Sequence, residues 1–182
     1  MMQQTVTDLL AILGDQALPK NQKQDRVSTL TRQHLDFQTL GRMTLGGSWR
    51  DLTEPQRNEF IKQFTDHLLG IYLPLVTEYA GQQVSVGDDH AESNGDHTAV
   101  TTVTDHKGSG GSLRQVASIA CRLRRSNAGW KVIDLSVEGI SVAVVFRAQF
   151  QPVVLSSGID VLIERLRQKN AQVGREEARD KE

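Results

Sequence analysis

Two changes in the hydrophobic period divide this sequence into three parts. Up to Gly81 the apolar residues recur at helical spacing, from Val84 to Val137 they alternate, and from Ser141 onward the helical spacing returns. The alternating part is rich in β-branched residues, which favour strands. The order therefore predicts an α+β fold in which N-terminal helices, a four-stranded antiparallel curved sheet and C-terminal helices follow one another.

The N-terminal part predicts four helices, of which the fourth has the clearest start. Thr53 can cap this helix, and Pro55 tolerates the missing hydrogen-bond donor of the first turn. Because proline cannot donate within a helix, we expect a kink or a break between Gly70 and Pro74. The first three helices are expected at about residues 6–17 and 21–34 and after Asp36.

The middle and C-terminal parts predict four strands and two helices. The expected strands are 84–86, 97–105, 116–125 and 130–137, joined by turns at 88–96, 107–112 and 126–129. One further helix is expected at 141–156, and the last begins near Ile159. We expect residues 1–170 to form a single domain and residues 171–182 to form a charged, disordered tail.

Charge and composition exclude several classes of protein. The formal net charge is -1, and no basic stripe suited to a phosphate backbone is visible, so no nucleic-acid partner is predicted. No apolar run reaches the length of a membrane span. The single cysteine, Cys121, lies in a predicted strand and is expected to be a buried, unreactive side chain.

No motif predicts catalysis, a metal or a cofactor. Acidic and histidine residues cluster at the first predicted strand turn, but without recognised metal-ligand spacing, and a solvated turn, which needs polar residues in any case, is the better explanation. The glycine-rich turn at 107–112 has no Lys-Ser/Thr pair after it and opens no helix, so it is not a phosphate loop. An acid–base enzyme remains an alternative, with Asp134 and Glu138 as its candidate residues.

The helix at 141–156 is apolar around more of its circumference than a surface helix needs. Its apolar residues cover several faces rather than one stripe. One interpretation is a helix buried on two sides or at a subunit interface, which would make the chain an interaction module. The other is a helix that packs on the sheet and also lines a cavity. The residues alone leave both interpretations open.

Two stretches of sequence resemble the MlaC/toluene-tolerance family. The first runs from Asp36-Phe37-Gln38-Thr39-Leu40-Gly41-Arg42-Met43 through Trp49-Arg50 to Thr53-Glu54-Pro55-Gln56-Arg57. The second runs from Trp130-Lys131-Val132-Ile133-Asp134 through Val137-Glu138-Gly139-Ile140-Ser141 to Phe146-Arg147-Ala148-Gln149-Phe150. The resemblance extends from about Val6 to Asn170. Phe146 stands where many relatives have Tyr, so we assign no headgroup contact there. Arg147 could form a salt bridge within the domain or approach a phosphate, and we expect the salt bridge.

The resemblance implies a periplasmic lipid carrier that has lost a signal peptide. It implies a cone with an apolar cavity, similar to the NTF2 and cystatin folds, and no cofactor apart from a bound phospholipid. Implied partners are an inner-membrane ABC lipid transporter complex and an outer-membrane lipoprotein complex, which together maintain outer-membrane lipid asymmetry; a hopanoid-associated branch is an alternative. The expected lipid-binding residues are Phe64, Leu68, Ile71, Tyr72, Leu75, Val76, Tyr79, Val142, Val145, Phe146 and Phe150.

Overall fold

The protein is described from a computed structural model that covers residues 2–78, 81–107, 112–127 and 129–179. The chain divides into two compact units. The sheet unit comprises Met1–Asp36 and Leu75–Val142, and the helical unit comprises Phe37–Pro74 and Ala143–Glu182. The α-helices are α1 Met2–Gly14, α2 Lys20–His34, α3 Phe37–Leu45, α4 Glu54–Thr77, α5 Val142–Ser157 and α6 Ile159–Arg179, and a 3₁₀ helix occupies Gly46–Asp51.

The sheet contains five antiparallel strands in sequential order, so the prediction of four was one strand short. The strands are β1 Gln83–Ala91, β2 His97–Lys107, β3 Ser112–Ser126, β4 Gly129–Val137 and β5 Ile140–Ser141. The additional strand is only two residues long, too short for any alternation to reveal it in the sequence. The α+β class is confirmed.

Strand β1 is longer than predicted, because a β-bulge carries it through the polar segment expected to be a turn. The register shifts between Val86 and Asp89, and pairing with β2 then continues to Ala91. The turn that follows is held by Asp96, whose carboxylate accepts two hydrogen bonds of 2.7 Å from the Arg124 guanidinium on β3. This pair, rather than strand propensity, stabilises the end of the hairpin.

Two helices and the sheet are joined within the sheet unit by hydrogen bonds to backbone carbonyls. The amide of Asp36, just after α2, donates to the Val132 carbonyl on β4 at 2.8 Å. Leu35 and Val132 form a parallel bridge at the same place. The Lys23 ammonium on α2 donates to the Leu13 carbonyl at the end of α1 at 2.7 Å. These contacts hold α1 against α2 and the end of α2 against β4.

Helix α4 begins as predicted but is not broken at Pro74. Thr53 and Gln56 form a capping box, in which the Thr53 amide donates to Gln56 Oε1 at 3.1 Å and the Gln56 amide donates to Thr53 Oγ1 at 3.4 Å. Pro74 lies inside the continuous helix Glu54–Thr77. Proline removes the hydrogen bond to the Gly70 carbonyl and its ring crowds that carbonyl, yet the helix continues to Thr77.

Helix α6 continues beyond the point where the sequence suggested a disordered tail. It extends to Arg179, so residues 171–179 are helical rather than disordered. Val173 on α6 lies against Gly70 of α4, where a Cβ atom would be 3.5 Å from Val173 Cγ1. This contact within the helical unit gives the extra turns of α6 a surface to pack on. The prediction of a single domain over residues 1–170 stays a prediction.

No helix in the described parts of the chain is both long and apolar enough to cross a membrane.

Candidate functional site

Four phenylalanines form an aromatic cluster in the helical unit. Phe60 and Phe64 stack on α4 with their ring centroids 5.6 Å apart. Phe146 and Phe150 on α5 meet Phe64 nearly edge-on, at 5.4 and 5.8 Å. All four side chains are almost completely buried. The structure therefore brings together three predicted lipid-binding residues, Phe64, Phe146 and Phe150, as a packed core.

A row of polar residues runs beside this cluster along α4. Glu59, Gln63 and His67 are spaced four residues apart and so lie on one face of the helix. Asn170 on α6 donates to both the carbonyl and the side-chain oxygen of Gln63 at 3.0 Å. The Arg167 guanidinium donates to Glu59 Oε1 at 2.8 Å. We call Glu59, Gln63, His67, Arg167 and Asn170 the polar seam between α4 and α6.

His67 connects the polar seam to the aromatic cluster. Its ring lies 5.9 Å from the Phe146 ring, and the side chain is buried. Burial lowers the pKa of His67 below the ordinary histidine value, the charge of Lys169 lowers it further, and a hydrogen bond with Asn170 acts in the opposite direction. A neutral imidazole is the form that this environment favours at pH 7.

The second half of α4 carries apolar side chains that remain accessible. Ile71 is 39% exposed and Leu75, one turn later, is 61% exposed. Tyr72 and Val76 are half-buried, and desolvation raises the pKa of the Tyr72 hydroxyl. Leu68, which precedes them, is buried. Tyr79, also a predicted lipid-binding residue, lies outside the described residues.

Helix α5 likewise combines buried and accessible apolar side chains. Val142 is 4% exposed, whereas Val145 is 37% exposed. Val144 and Leu155 are even more accessible, at 62% and 74%. The sequence-based list of lipid-binding residues omitted both, although each belongs to the apolar run that marked this helix as unusual. Their exposure depends on tertiary packing, which the periodicity does not report.

The two residues suggested for an acid–base enzyme hold the β4–β5 hairpin. Asp134 is buried, and its carboxylate accepts hydrogen bonds from the Ser141 hydroxyl at 2.6 Å and from the Leu135 amide at 2.9 Å. Glu138 occupies the turn with φ +50° and accepts a hydrogen bond from the Ser118 amide at 2.7 Å. Both carboxylates have structural partners that account for their positions.

Two other sequence-based interpretations are resolved differently. The Arg147 guanidinium packs against Gly46, whose Cβ, if present, would lie 2.8 Å from Arg147 Nη2. The expected salt bridge of Arg147 does not occur among the residues that the structure describes. At the first strand turn, His97 pairs with Asp89 at 2.6 Å, and over the described ranges no three histidine, cysteine or acidic side chains gather as a metal site.

Comparison with known proteins places this arrangement in a family. The sequence matches the family described as MlaC protein over residues 3–168. It is 21% identical over 176 residues to the intermembrane phospholipid transport system binding protein MlaC of Haemophilus influenzae, with 94% of this chain and 81% of that protein covered.

A solved structure agrees with the fold. The phospholipid-binding protein from Ralstonia solanacearum, determined in complex with a phospholipid, is similar with a TM-score of 0.78 and 24% sequence identity. The similarity covers 95% of this chain and 96% of that one, and at this identity it concerns the fold. The resemblance noted from the two sequence stretches is confirmed by the family match. Because that match extends over most of the sequence, this chain belongs to the MlaC protein family.

Proposed function

We propose that this chain is a periplasmic phospholipid carrier that binds acyl tails through accessible apolar side chains near the end of α4 and through Val145 of α5. The observation that carries the proposal is the exposure of Ile71 and Leu75 on a helix that buries Phe60 and Phe64 completely. Large apolar side chains left in water on a core helix are typical of a surface that a ligand covers. Family membership suggests the class of ligand, because the relatives described above are named as phospholipid-binding or phospholipid transport proteins.

The energetics of acyl chains explain why a carrier is needed. Each methylene exposed to water costs about 0.8 kcal/mol, so two long tails cost on the order of 20 kcal/mol. Spontaneous transfer of a phospholipid between membranes is therefore negligible. A carrier that covers the tails draws its affinity mainly from them, and the headgroup remains loosely selected. We accordingly propose a binding role for this chain rather than a catalytic one.

The proposed transport context follows from the family. The carrier would exchange lipid between an inner-membrane ABC-type complex and an outer-membrane lipoprotein complex. Because the affinity resides in the tails, release requires a partner that offers the tails a competing apolar surface. Eight of the eleven predicted lipid-binding residues separate into two groups on this proposal. Phe64, Phe146 and Phe150 form the packed support, whereas Ile71, Tyr72, Leu75, Val76 and Val145 contact the tails.

Native mass spectrometry tests the proposal directly. Protein purified from bacteria without detergent is expected to carry a mass increment of one phospholipid, and organic extracts of the same sample should contain that lipid. Extracts that contain hopanoids instead would favour the hopanoid-associated branch. A bare polypeptide mass together with empty extracts would contradict the carrier function.

A matched pair of double variants locates the binding surface. Ile71→Asn with Leu75→Asn replaces side chains that are 39% and 61% exposed on α4. The control, Leu155→Asn with Val161→Asn, replaces side chains that are 74% and 38% exposed on α5 and α6. We expect the first variant to lose copurified lipid while keeping the unfolding temperature of lipid-free wild type, and the control to retain lipid. Equal lipid content in both variants would show that α4 does not form the site.

A further inference from the structure

The turn between β1 and β2 carries the one Asn-Gly pair in the sequence, Asn94-Gly95. An asparagine side chain is most reactive when glycine follows it, because no side chain then hinders the approach of the next peptide nitrogen to the asparagine Cγ. Asn94 is exposed to water. The other asparagines are followed by Gln, Glu or Ala, and they are Asn21, Asn58, Asn127 and Asn170.

The folded turn restrains both reacting groups of this pair. The Gly95 peptide nitrogen, which would attack, donates a hydrogen bond of 3.0 Å to the Glu92 carbonyl, so its proton and its position are held. The Asn94 side chain is held as well: its oxygen accepts from the Asp96 amide at 2.9 Å, and its nitrogen donates to the Asp96 carboxylate at 3.2 Å. Attack therefore requires the turn to open.

Asp96 holds the turn closed and joins it to the sheet. Its side chain is almost completely buried and accepts two hydrogen bonds of 2.7 Å from the Arg124 guanidinium on β3. The same pairing lowers the pKa of Asp96, so the carboxylate is charged at neutral pH. The Asp96 carbonyl accepts from the Glu92 amide at 2.7 Å, which joins the two ends of the turn. Breaking the pair would leave a buried carboxylate without its charge partner, so the turn opens rarely.

We propose that Asn94 is a site of deamidation and that the Asp96–Arg124 pair controls the rate of this modification. When the turn opens, the Gly95 nitrogen gives its proton to hydroxide and attacks Cγ of Asn94, the Cγ–Nδ2 bond breaks, and ammonia leaves. Water then opens the resulting cyclic imide at either of its two carbonyls. The product is an aspartate or an isoaspartate at position 94, and the reaction needs no oxidant and no cofactor.

Deamidation would weaken the turn in which it occurs. The product loses the nitrogen that donates to the Asp96 carboxylate and places a second carboxylate there instead. Two neighbouring carboxylates repel each other and compete for Arg124. An isoaspartate also lengthens the backbone of the turn by a methylene group. We therefore expect deamidated chains to unfold at a lower temperature than unmodified chains at neutral pH and low salt.

Peptide mass spectrometry of the full chain, incubated at mildly alkaline pH, tests the proposal. Asn94 should deamidate at least about tenfold faster in urea than in the folded wild type. Folded Arg124→Ala should deamidate faster than folded wild type, and Arg125→Ala, an exposed control on β3, at the wild-type rate. Equal rates in urea and in the folded wild type, or no product in urea, would overturn the proposal, as would a wild-type rate in folded Arg124→Ala. If Arg124→Ala does not fold, Arg124→Lys, which keeps the charge without the paired hydrogen bonds, decides by the same criterion.

Two further measurements test the position and the consequence of the modification. Labelling by an isoaspartyl methyltransferase should appear in incubated wild type and be absent from incubated Asn94→Ser; equal labelling of both would place the reaction elsewhere. Asn127, which is also exposed but is followed by Ala, should remain unmodified over the same time. Asn94→Asp, which reproduces one product, should unfold at a lower temperature than Asn94→Ser at low salt. Equal unfolding temperatures would contradict the expected weakening of the turn.

Discussion

The two halves of α4, before and after Gly70, differ in their surroundings, and the half that is richer in apolar residues is the more exposed one. In the first half, Phe60 and Phe64 are completely buried and pack on Phe146 and Phe150. In the second half, Leu75 is 61% exposed. Both halves carry apolar residues at helical spacing, so the pattern predicts a buried face along the whole helix. The difference shows that Phe60 and Phe64 have their packing partners within the helical unit, whereas Leu75 stays accessible among the described residues.

The polar seam accompanies only the packed half. Gln63 and His67 are buried beside the aromatic cluster and are satisfied by Asn170 on α6. Buried polar groups with defined partners fix the alignment of two helices, because a shift would leave them unsatisfied. A rigid first half that supports an accessible second half suits a helix that presents a binding surface.

The largest expected effect comes from truncating one aromatic side chain. Phe64→Ala removes a completely buried ring and should lower the free energy of unfolding by about 3–5 kcal/mol. Leu75→Ala, at a site that is 61% exposed, should change it by less than about 0.5 kcal/mol. Urea unfolding of lipid-free protein measures both. A similar loss of unfolding free energy in the two variants would mean that the second half of α4 also belongs to the core. The two halves would then not differ in their burial.

The second expected effect is a dependence of protein stability on pH that arises from His67 in the first half of α4. Because burial lowers the pKa of His67 in the folded state, the unfolded chain binds a proton at this residue at higher pH than the folded chain. The contribution of His67 to the free energy of unfolding is therefore complete above the pKa of about 6.5 that histidine has in the unfolded chain. It declines as the pH falls from there towards the pKa of His67 in the folded chain. Unfolding midpoints in urea, measured from pH 7.5 downward, should fall over this interval.

Two histidine variants provide the control for this effect. His67→Gln should flatten the decline, whereas His90→Gln, which changes an exposed side chain on β1, should leave the decline as in wild type. If the urea midpoint of His67→Gln falls with pH as much as that of wild type, another group is responsible. The polar seam would then not contain a buried, neutral His67.

Sequence periodicity was sufficient to predict the class of fold. It was not sufficient to predict that the first half of α4 is buried and the second half accessible. The helical, alternating and helical periods predicted the order of elements, because each period reflects one buried face. They did not predict that Val142 is buried while Val144 is 62% exposed, since exposure depends on which neighbour covers a residue. The aromatic cluster joins residues of α4 and α5 about 80 positions apart, a separation that local patterns do not encode.

The strand errors have equally specific causes. The first strand was predicted to end at Val86, because Gly87 and the two aspartates after it have low strand propensity. The bulge and the Asp89–His97 pair overcome that propensity, and both require the neighbouring strand. The prediction of a salt bridge for Arg147 was wrong for a similar reason, because Arg147 packs against Gly46, which is distant in the sequence. Long-range partners decided each of these cases.

A smaller effect is expected at Gly70, where the two halves of α4 meet. A Cβ atom at Gly70 would lie 3.5 Å from Val173 Cγ1, which is an ordinary van der Waals contact. Gly70→Ala should therefore stabilise the protein by about 0.5–1 kcal/mol through the lower helix propensity of glycine. Gly41→Ala, whose Cβ would come 2.5 Å from Ile61 Cδ1, should instead destabilise it. Destabilisation by Gly70→Ala would indicate that the helix needs flexibility at this point.

The smallest effect is expected at the exposed end of the polar seam. Arg167 pairs with Glu59 and Glu164, which lowers the pKa of Glu59, but its side chain is half exposed. Exposed ion pairs are weakened by solvent and screened by salt. Arg167→Ala should lower the thermal midpoint slightly at low salt, and the difference from wild type should vanish at high salt. Arg165→Ala, an exposed control on the same helix, should show no difference at either salt concentration. A loss at Arg167 that persists at high salt would mean that this pair, and not only Gln63 and His67, holds α6 on the packed half of α4.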